Sequence, residues 1–343
     1  MTKIPQKPYQ IDFSQIYRMI EEANSKAWRE VNKSLISLYW NIGKYVSTKA
    51  EQEDWGQAVV EQLSDYILAQ RSEMKGFSAR NIWRMKQFYE TYKDHQKLST
   101  VLTEIEWSNH LHILSKTKTI EEKEFYLTLL ARHRYSVRDF ERLIDSGTYE
   151  RTMIGNKKLS TALTEFPVSP GNMFKDVYTF EFLDLPETYK ENDLRKALLQ
   201  NLRKFLIEMG PDFSLMGEEY VVQVGGKDFR IDLLLHNRAL NCLVAVELKI
   251  TEFQPEYLGK VQFYLEALDR DVKKAHENPS IGILICKTKD DEVVEYALSR
   301  NMSPTMIAEY ETKLIDKGRL QRKLHELSEF LENLNLEKNI KNI

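Results

Sequence analysis

The chain has almost no cysteine, no long apolar run and no excess of either charge. Of 343 residues two are cysteine, Cys242 and Cys286, which excludes a disulfide framework and a cysteine-rich zinc site. Both fall inside apolar, strand-like runs, where reduced core residues are expected. No stretch approaches the roughly 18 apolar residues of a membrane span, and Met1-Thr2-Lys3-Ile4-Pro5 carries no apolar signal segment. The expected setting is the cytoplasm, with no membrane partner. The net charge is −3, and the first 150 residues carry 22 basic against 21 acidic side chains, the remainder 27 against 31. A polyanionic partner must therefore be met by a local arrangement of charge. What is present, 29% charged and 42% hydrophobic residues, is the composition of a soluble globular protein long enough for about two domains.

Residues 10–150 read as helix almost throughout, an all-α N-terminal domain. Ile16, Ile20, Ala23, Ala27 and Val31, continued by Leu35, Leu38, Tyr39 and Ile42, recur at helical spacing up to Gly43, where the first helix is expected to end. Trp55-Gly56 opens a second. In Gly76-Phe77-Ser78-Ala79-Arg80-Asn81, Gly76 closes a helix and Ser78 caps the next, with Ile82, Met85, Tyr89 and Tyr92 as its apolar face. Arg80, Arg84 and Gln87 share the opposite face. A helix-turn-helix presents a reading helix to DNA in this way, and an ordinary solvated face has the same spacing. Trp107-Ser108 begins a further capped helix. His110, His112 and His133 have no partner at a metal-ligand spacing, so core or capping roles are expected.

Residues 151–173, with Gly155, Pro167, Pro170 and Gly171 among polar side chains, read as a linker. Beyond it the pattern becomes mixed. A helix is expected over 192–209, ended by Gly210-Pro211, then a strand over 219–224, a Gly225-Gly226 turn and a buried hairpin over 229–250. Pro255 introduces another helix, and residues 281–286 form a buried parallel strand. The tail at 311–343 holds Leu320, Leu324, Leu327, Leu331 and Leu334 at a/d spacing, either folded back on the domain or forming the seam of a homo-oligomer.

The hairpin carries the chemistry. Its apolar run is interrupted by Asp232, Glu247 and Lys249. With the turn centred near residue 239 or 240, Asp232 lies opposite or diagonal to Glu247, about 5–8 Å away. Two carboxylates in an apolar sheet repel unless one is protonated or a cation lies between them, and a hard divalent metal is the natural cation. Lys249, on the face of Glu247, then adds a positive charge that can orient a water or steady a phosphate.

With the helix, sheet and helix order, these residues resemble the PD-(D/E)xK nuclease superfamily, Asp232 standing as its aspartate and Glu247-Leu248-Lys249 as its (D/E)xK. The match is closer to the bacterial YhcG-like family, through Glu181-Phe182-Leu183, Ile231-Asp232-Leu233-Leu234, Pro255-Glu256-Tyr257 and Asn278-Pro279-Ser280-Ile281-Gly282. The first half resembles it at Tyr39-Trp40-Asn41-Ile42-Gly43, Gly76-Phe77-Ser78-Ala79-Arg80-Asn81 and Trp107-Ser108. The resemblance implies a restriction-endonuclease-like α/β domain with a mixed central sheet over residues 174–310. It implies hydrolysis of phosphodiester bonds, most readily in DNA, with Mg²⁺ or Mn²⁺ held by Asp232, Glu247 and the Leu248 carbonyl and Lys249 orienting the water. Lys260, Gln262 and Tyr264 fall where related nucleases carry a phosphate-touching pair, although Tyr264 also reads as core. The helical domain would bind DNA through Arg80 and Arg84, or a protein partner. Where the family tends to place a glutamate on the helix before the sheet, this chain has Arg195, with Glu191 and Asp193 expected on other faces. That departure motivates the alternative, a nuclease fold of weak or no activity serving as a nucleic-acid-binding or regulatory module.

Overall fold

Helical stripes build a first unit, residues 1–140, and strand-forming runs build a second, residues 141–343, in a computed structural model that describes residues 8–52, 57–70, 73, 75–133, 135–155, 159–166 and 173–341. The first unit contains α1 (Pro8–Gln52), α2 (Gln57–Gln70), α3 (Ala79–Tyr92), α4 (Ser99–Glu104), α5 (Trp107–Lys116) and α6 (Ile120–Arg132). The unit boundary falls within α7 (Val137–Asp145). Gly43 does not end α1, which continues to Gln52. A side chain at Gly43 would overlap the Met85 backbone, so the glycine serves the close approach of α1 and α3. Trp55 and Gly56 lie outside the described residues. Ser78 caps α3 as expected, accepting from the Asn81 amide after a left-handed Gly76 (φ +95°). Phe88, with Ile82 and Met85, is fully buried. Ser108 is not a cap, because Glu106 holds that position without a side-chain bond. His110 is a core residue: its Nε2 lies 2.9 Å from the Leu102 carbonyl, and burial pushes its pKa down to about 4.

The second unit begins with α8 (Thr148–Gly155), α9 (Thr161–Thr164) and β1 (Val177–Thr179), then α10 (Glu191–Gln200) and α11 (Leu202–Met209). It continues with β2 (Phe213–Val224), β3 (Lys227–Asn237), β4 (Cys242–Leu248), α12 (Tyr257–Asp271), β5 (Ile281–Cys286), α13 (Asp291–Ser299), β6 (Thr305–Glu311) and α14 (Lys317–Lys341). Among the described residues the sheet has the order β1-β6-β5-β4-β3-β2. β2, β3 and β4 pair antiparallel, and β4, β5, β6 and β1 pair parallel, which is the expected mixed sheet. The helix expected over 192–209 is broken at Asn201, and the strand expected over 219–224 is the end of one that starts at Phe213. Leu194, Leu198 and Phe205 pack on one sheet face against Leu233, Leu235, Val244, Val246 and Leu248. On the other, Leu258, Val261 and Leu265 pack against Ile231, Leu234, Ala245 and Leu284.

The described part of the stretch read as a linker, 151–173, is folded structure. Arg151 of α8 is fully buried, donates to the Val177 carbonyl at 2.8 Å and pairs with Glu208 of α11. Ser160 accepts from the Thr305 amide at 3.0 Å. The first turns of α14 fold back on α8, with Leu320 buried and Gln321 3.1 Å from Glu150. The side chains of Leu331 and Leu334 lie outside the described residues. Among the described residues no helix is long and apolar enough to cross a membrane.

Glu208 is wholly buried among Arg151, Arg142 (3.3 Å) and Lys175 (3.3 Å), and accepts from the Thr179 amide at 3.0 Å. Burial opposes its charge, yet Arg151 and then Lys175 and Arg142 hold its pKa down to about 2. Arg151→Met should cost about 3–5 kcal/mol of stability, read by denaturant unfolding, because it strips a buried carboxylate of its nearest cation. A carboxyl depressed in the folded state stabilises above its ordinary pKa of 4.5 and loses that contribution as pH falls toward 2. The wild type should therefore lose stability across that interval more steeply than the variant.

Candidate active site

Two turns set the level of the site. The Gly225-Gly226 turn, with both residues at positive φ, pairs Tyr220 with Ile231 and Glu218 with Leu233, which leaves Glu219 opposite Asp232. The turn after Asn237 pairs Asn237 with Cys242 and Leu233 with Val246, and the next step puts Asp232 opposite Glu247. Three carboxylates thus stand at one level on β2, β3 and β4. The alternation of β3 breaks at this level: Leu233 and Leu235 belong to the core under α10 and α11, Ile231 and Leu234 to the core under α12. Opposite the break, Glu219 has φ +41°, a region side chains other than glycine rarely adopt. Asp232 Oδ2 accepts from the Leu248 amide at 2.9 Å, so a side chain continues the ladder beyond its last backbone pair.

Glu247 is 2% exposed. Its Oε1 accepts from Lys249 Nζ at 2.9 Å and Lys260 Nζ at 2.6 Å, while Oε2 is buried without a hydrogen-bond partner among the described residues. Lys249 Nζ also lies 3.2 Å from Glu191 Oε2 and 3.2 Å from the Leu248 carbonyl. Burial works against the Lys249 ammonium, but Glu247 and Glu191 outweigh it and hold the pKa above the ordinary lysine value. Lys249 is therefore a cation here. Burial, and then the charge of Glu247, raises the pKa of Asp232, as expected of facing carboxylates.

Other expected members are placed differently. Tyr264 is core: its hydroxyl donates to the Arg230 carbonyl, and Lys260 lies over its ring at 5.5 Å. Gln262 is not brought to the carboxylates, since two residues along a helix is more than half a turn, and its amide donates to Asn301 Oδ1 at 2.9 Å. Asp193 is engaged in capping α10, accepting from the Lys190 amide at 3.0 Å. Glu191 was expected on another face as well, but as the first residue of α10 it reaches Lys249. Glu219 was missed, although the diglycine turn places it opposite Asp232. In the first unit, Arg80 is exposed and Arg84 half-buried, and both line an open groove of about 590 Å³ with Glu61, Ala79, Trp83 and Gln87.

Asp232, Glu247 and the Leu248 carbonyl form an all-oxygen donor set suited to a hard cation. The orphaned, buried Glu247 Oε2 is the observation that fits one, since a buried carboxylate oxygen otherwise finds a partner. Among the described residues no three His, Cys, Asp or Glu side chains stand close enough together to hold a metal. Two carboxylates and a carbonyl would leave a hard divalent cation to complete its shell with waters.

Residues 171–325 match the YhcG PDDEXK nuclease domain, and residues 15–151 match the DUF1016 N-terminal domain. The Escherichia coli (strain K12) protein named "Putative nuclease YhcG" is 28% identical over 364 aligned residues, covering 94% of this chain and 96% of that protein. A crystal structure of a repair endonuclease from Pyrococcus abyssi shares 17% identity over 37% of this chain and 49% of that one, with a TM-score of 0.24, too slight a likeness to carry an argument. The chain thus carries, in this order, a DUF1016 N-terminal domain and a YhcG PDDEXK nuclease domain, and is similar over nearly its whole length to a protein named as a nuclease.

Proposed function

We propose that the protein is a metal-dependent nuclease that hydrolyses phosphodiester bonds in DNA, with Asp232, Glu247 and Lys249 at its centre. The carrying observation is the buried Glu247, with one oxygen shared by two lysines and the other without a partner, at the level of Asp232. Asp232, Glu247 and the Leu248 carbonyl would hold Mg²⁺ or Mn²⁺, which when bound polarises the phosphate. Lys249, fixed between Glu247 and Glu191, donates to the oxygen of the attacking water and steadies charge that develops on the phosphate. Lys260, half exposed beside Glu247, is placed to meet a phosphate oxygen. Tyr264 and Gln262 are not given that role: the Tyr264 hydroxyl donates from the core to the Arg230 carbonyl, and Gln262 Nε2 donates to Asn301 Oδ1 rather than toward the carboxylates.

Plasmid, linear, branched and single-stranded DNA offered with Mg²⁺ or Mn²⁺ tests this reading. Lys249→Ala should slow cleavage by about 10²-fold or more, and Asp232→Ala should abolish Mn²⁺ binding in calorimetry with the fold retained. If the wild type cuts none of the substrates, the second reading gains, a nuclease fold without activity, which the contact of Arg195 with Asp232 favours.

The grip on DNA is assigned to the helical unit, through Arg80 and Arg84, one turn apart on α3. With each half of the chain near neutral, affinity for a polyanion must come from such local pairs. Arg80→Ala/Arg84→Ala should weaken binding about equally at every sequence and lower the salt slope by about one per lost phosphate contact. Unchanged affinity and slope in a salt titration would leave this face as solvated surface and turn the domain toward a protein partner.

A further inference from the structure

The acidic row carries its own cation. Arg195, in the second turn of α10, places Nη1 3.5 Å from Asp232 Oδ1 and Nη2 3.0 Å from Glu219 Oε1, with Nη2 also 2.7 Å from Asn192 Oδ1. At the other end of the row, Lys249 and Lys260 meet on Glu247 Oε1, and Oε2 is buried and unpartnered. Charge is thus compensated from two sides, by lysines at Glu247 and by a guanidinium between Asp232 and Glu219. The two halves of the Arg195 clamp are unequal. At 3.5 Å the Asp232 contact is at the limit of a hydrogen bond, whereas the Glu219 contact is a good one. Glu219 is also 47% exposed, so its side chain has room to turn. A compact divalent ion brings twice the charge of a guanidinium and accepts oxygen lone pairs directly.

We propose that Arg195 is an internal counter-cation that competes with the divalent metal for Asp232, and that Glu219, once released from it, becomes a third carboxylate of the centre. The inference rests on Asp232 and Glu247 being metal ligands. It gives Arg195 a role in setting metal affinity, where the acidic helix residue of related nucleases is absent, and it recruits from β2 a carboxylate that no local motif marks. Metal-free protein is then held together at this level by Arg195, and metal-loaded protein by the ion.

The test is Mn²⁺ titration calorimetry on the full chain in four forms: wild type, Arg195→Gln, Glu219→Gln and the double variant. Removing the competitor should tighten Mn²⁺ binding about tenfold, and removing Glu219 alone should weaken it about tenfold, the range of changes around a metal site. The double variant should bind more weakly than Arg195→Gln, because a ligand is missing as well. In EDTA, Arg195→Gln should melt below the wild type, with added Mn²⁺ recovering the difference. Unchanged or weaker Mn²⁺ binding by Arg195→Gln overturns the competition. A double variant that binds as tightly as Arg195→Gln overturns Glu219 as a ligand, leaving it only a partner of Arg195. Asp232→Ala is titrated alongside: Mn²⁺ binding that survives it overturns the underlying metal-site reading, an outcome distinct from the others.

Discussion

A slip of one residue between β3 and β4 would turn every side chain of one strand to the other face, because the period of a strand is two. Asp232 would lose Glu247, and the leucines of β3 would exchange one core for the other. The register is held at the end of the hairpin remote from the site. Asn237 Oδ1 accepts from the Leu240 amide at 2.9 Å, Asn278 Nδ2 donates to the Leu240 carbonyl at 2.7 Å, and Asn241 adopts φ +47°. Buried apolar side chains on both faces then leave one acceptable pairing. The carboxylates occupy the far end of a ladder whose alignment is decided by residues with no chemistry of their own.

That alignment works against stability at the site itself. A carboxylate as buried as Glu247 costs several kcal/mol in desolvation, against which the two lysines are set, and its unpartnered oxygen adds to the cost. No requirement of packing explains such an arrangement, because leucine at 247 would continue the apolar run of β4. The break in alternation at Asp232 belongs to the same account. It withdraws one side chain from both cores so that it can meet the Leu248 amide and a neighbouring strand.

The central pair and its lysine were legible because the hairpin is long, apolar and symmetric about one turn, so that simple arithmetic places Asp232 across from Glu247. The same arithmetic about Gly225-Gly226 places Glu219 across from Asp232. It is obscured because the pattern marks the strand only from Glu219, so this carboxylate looks like a polar residue at a strand end rather than one in mid-ladder. Glu191 was hidden for another reason: helical periodicity assigns a face, but a first residue can reach past the end of its helix. Gly43 shows that a glycine marking close approach looks, in sequence, like one that ends a helix. The stretch around Arg151 misled because composition does not distinguish a solvated polar run from one that buries an ion pair, and the partner, Glu208, lies 57 residues away.

The pairing of Glu208 with Arg142 and Arg151 bears on what can be inherited as a piece. The nuclease match begins at residue 171 and the N-terminal match ends at Arg151, yet the arginines that neutralise a carboxylate deep in the nuclease half precede that start. A gene fusion joined at residue 171 would carry the acid and Lys175 and leave both arginines behind. Recombination that respects the physics must cut upstream of Arg142 in α7, so the unit that folds is longer than the unit that sequence similarity outlines.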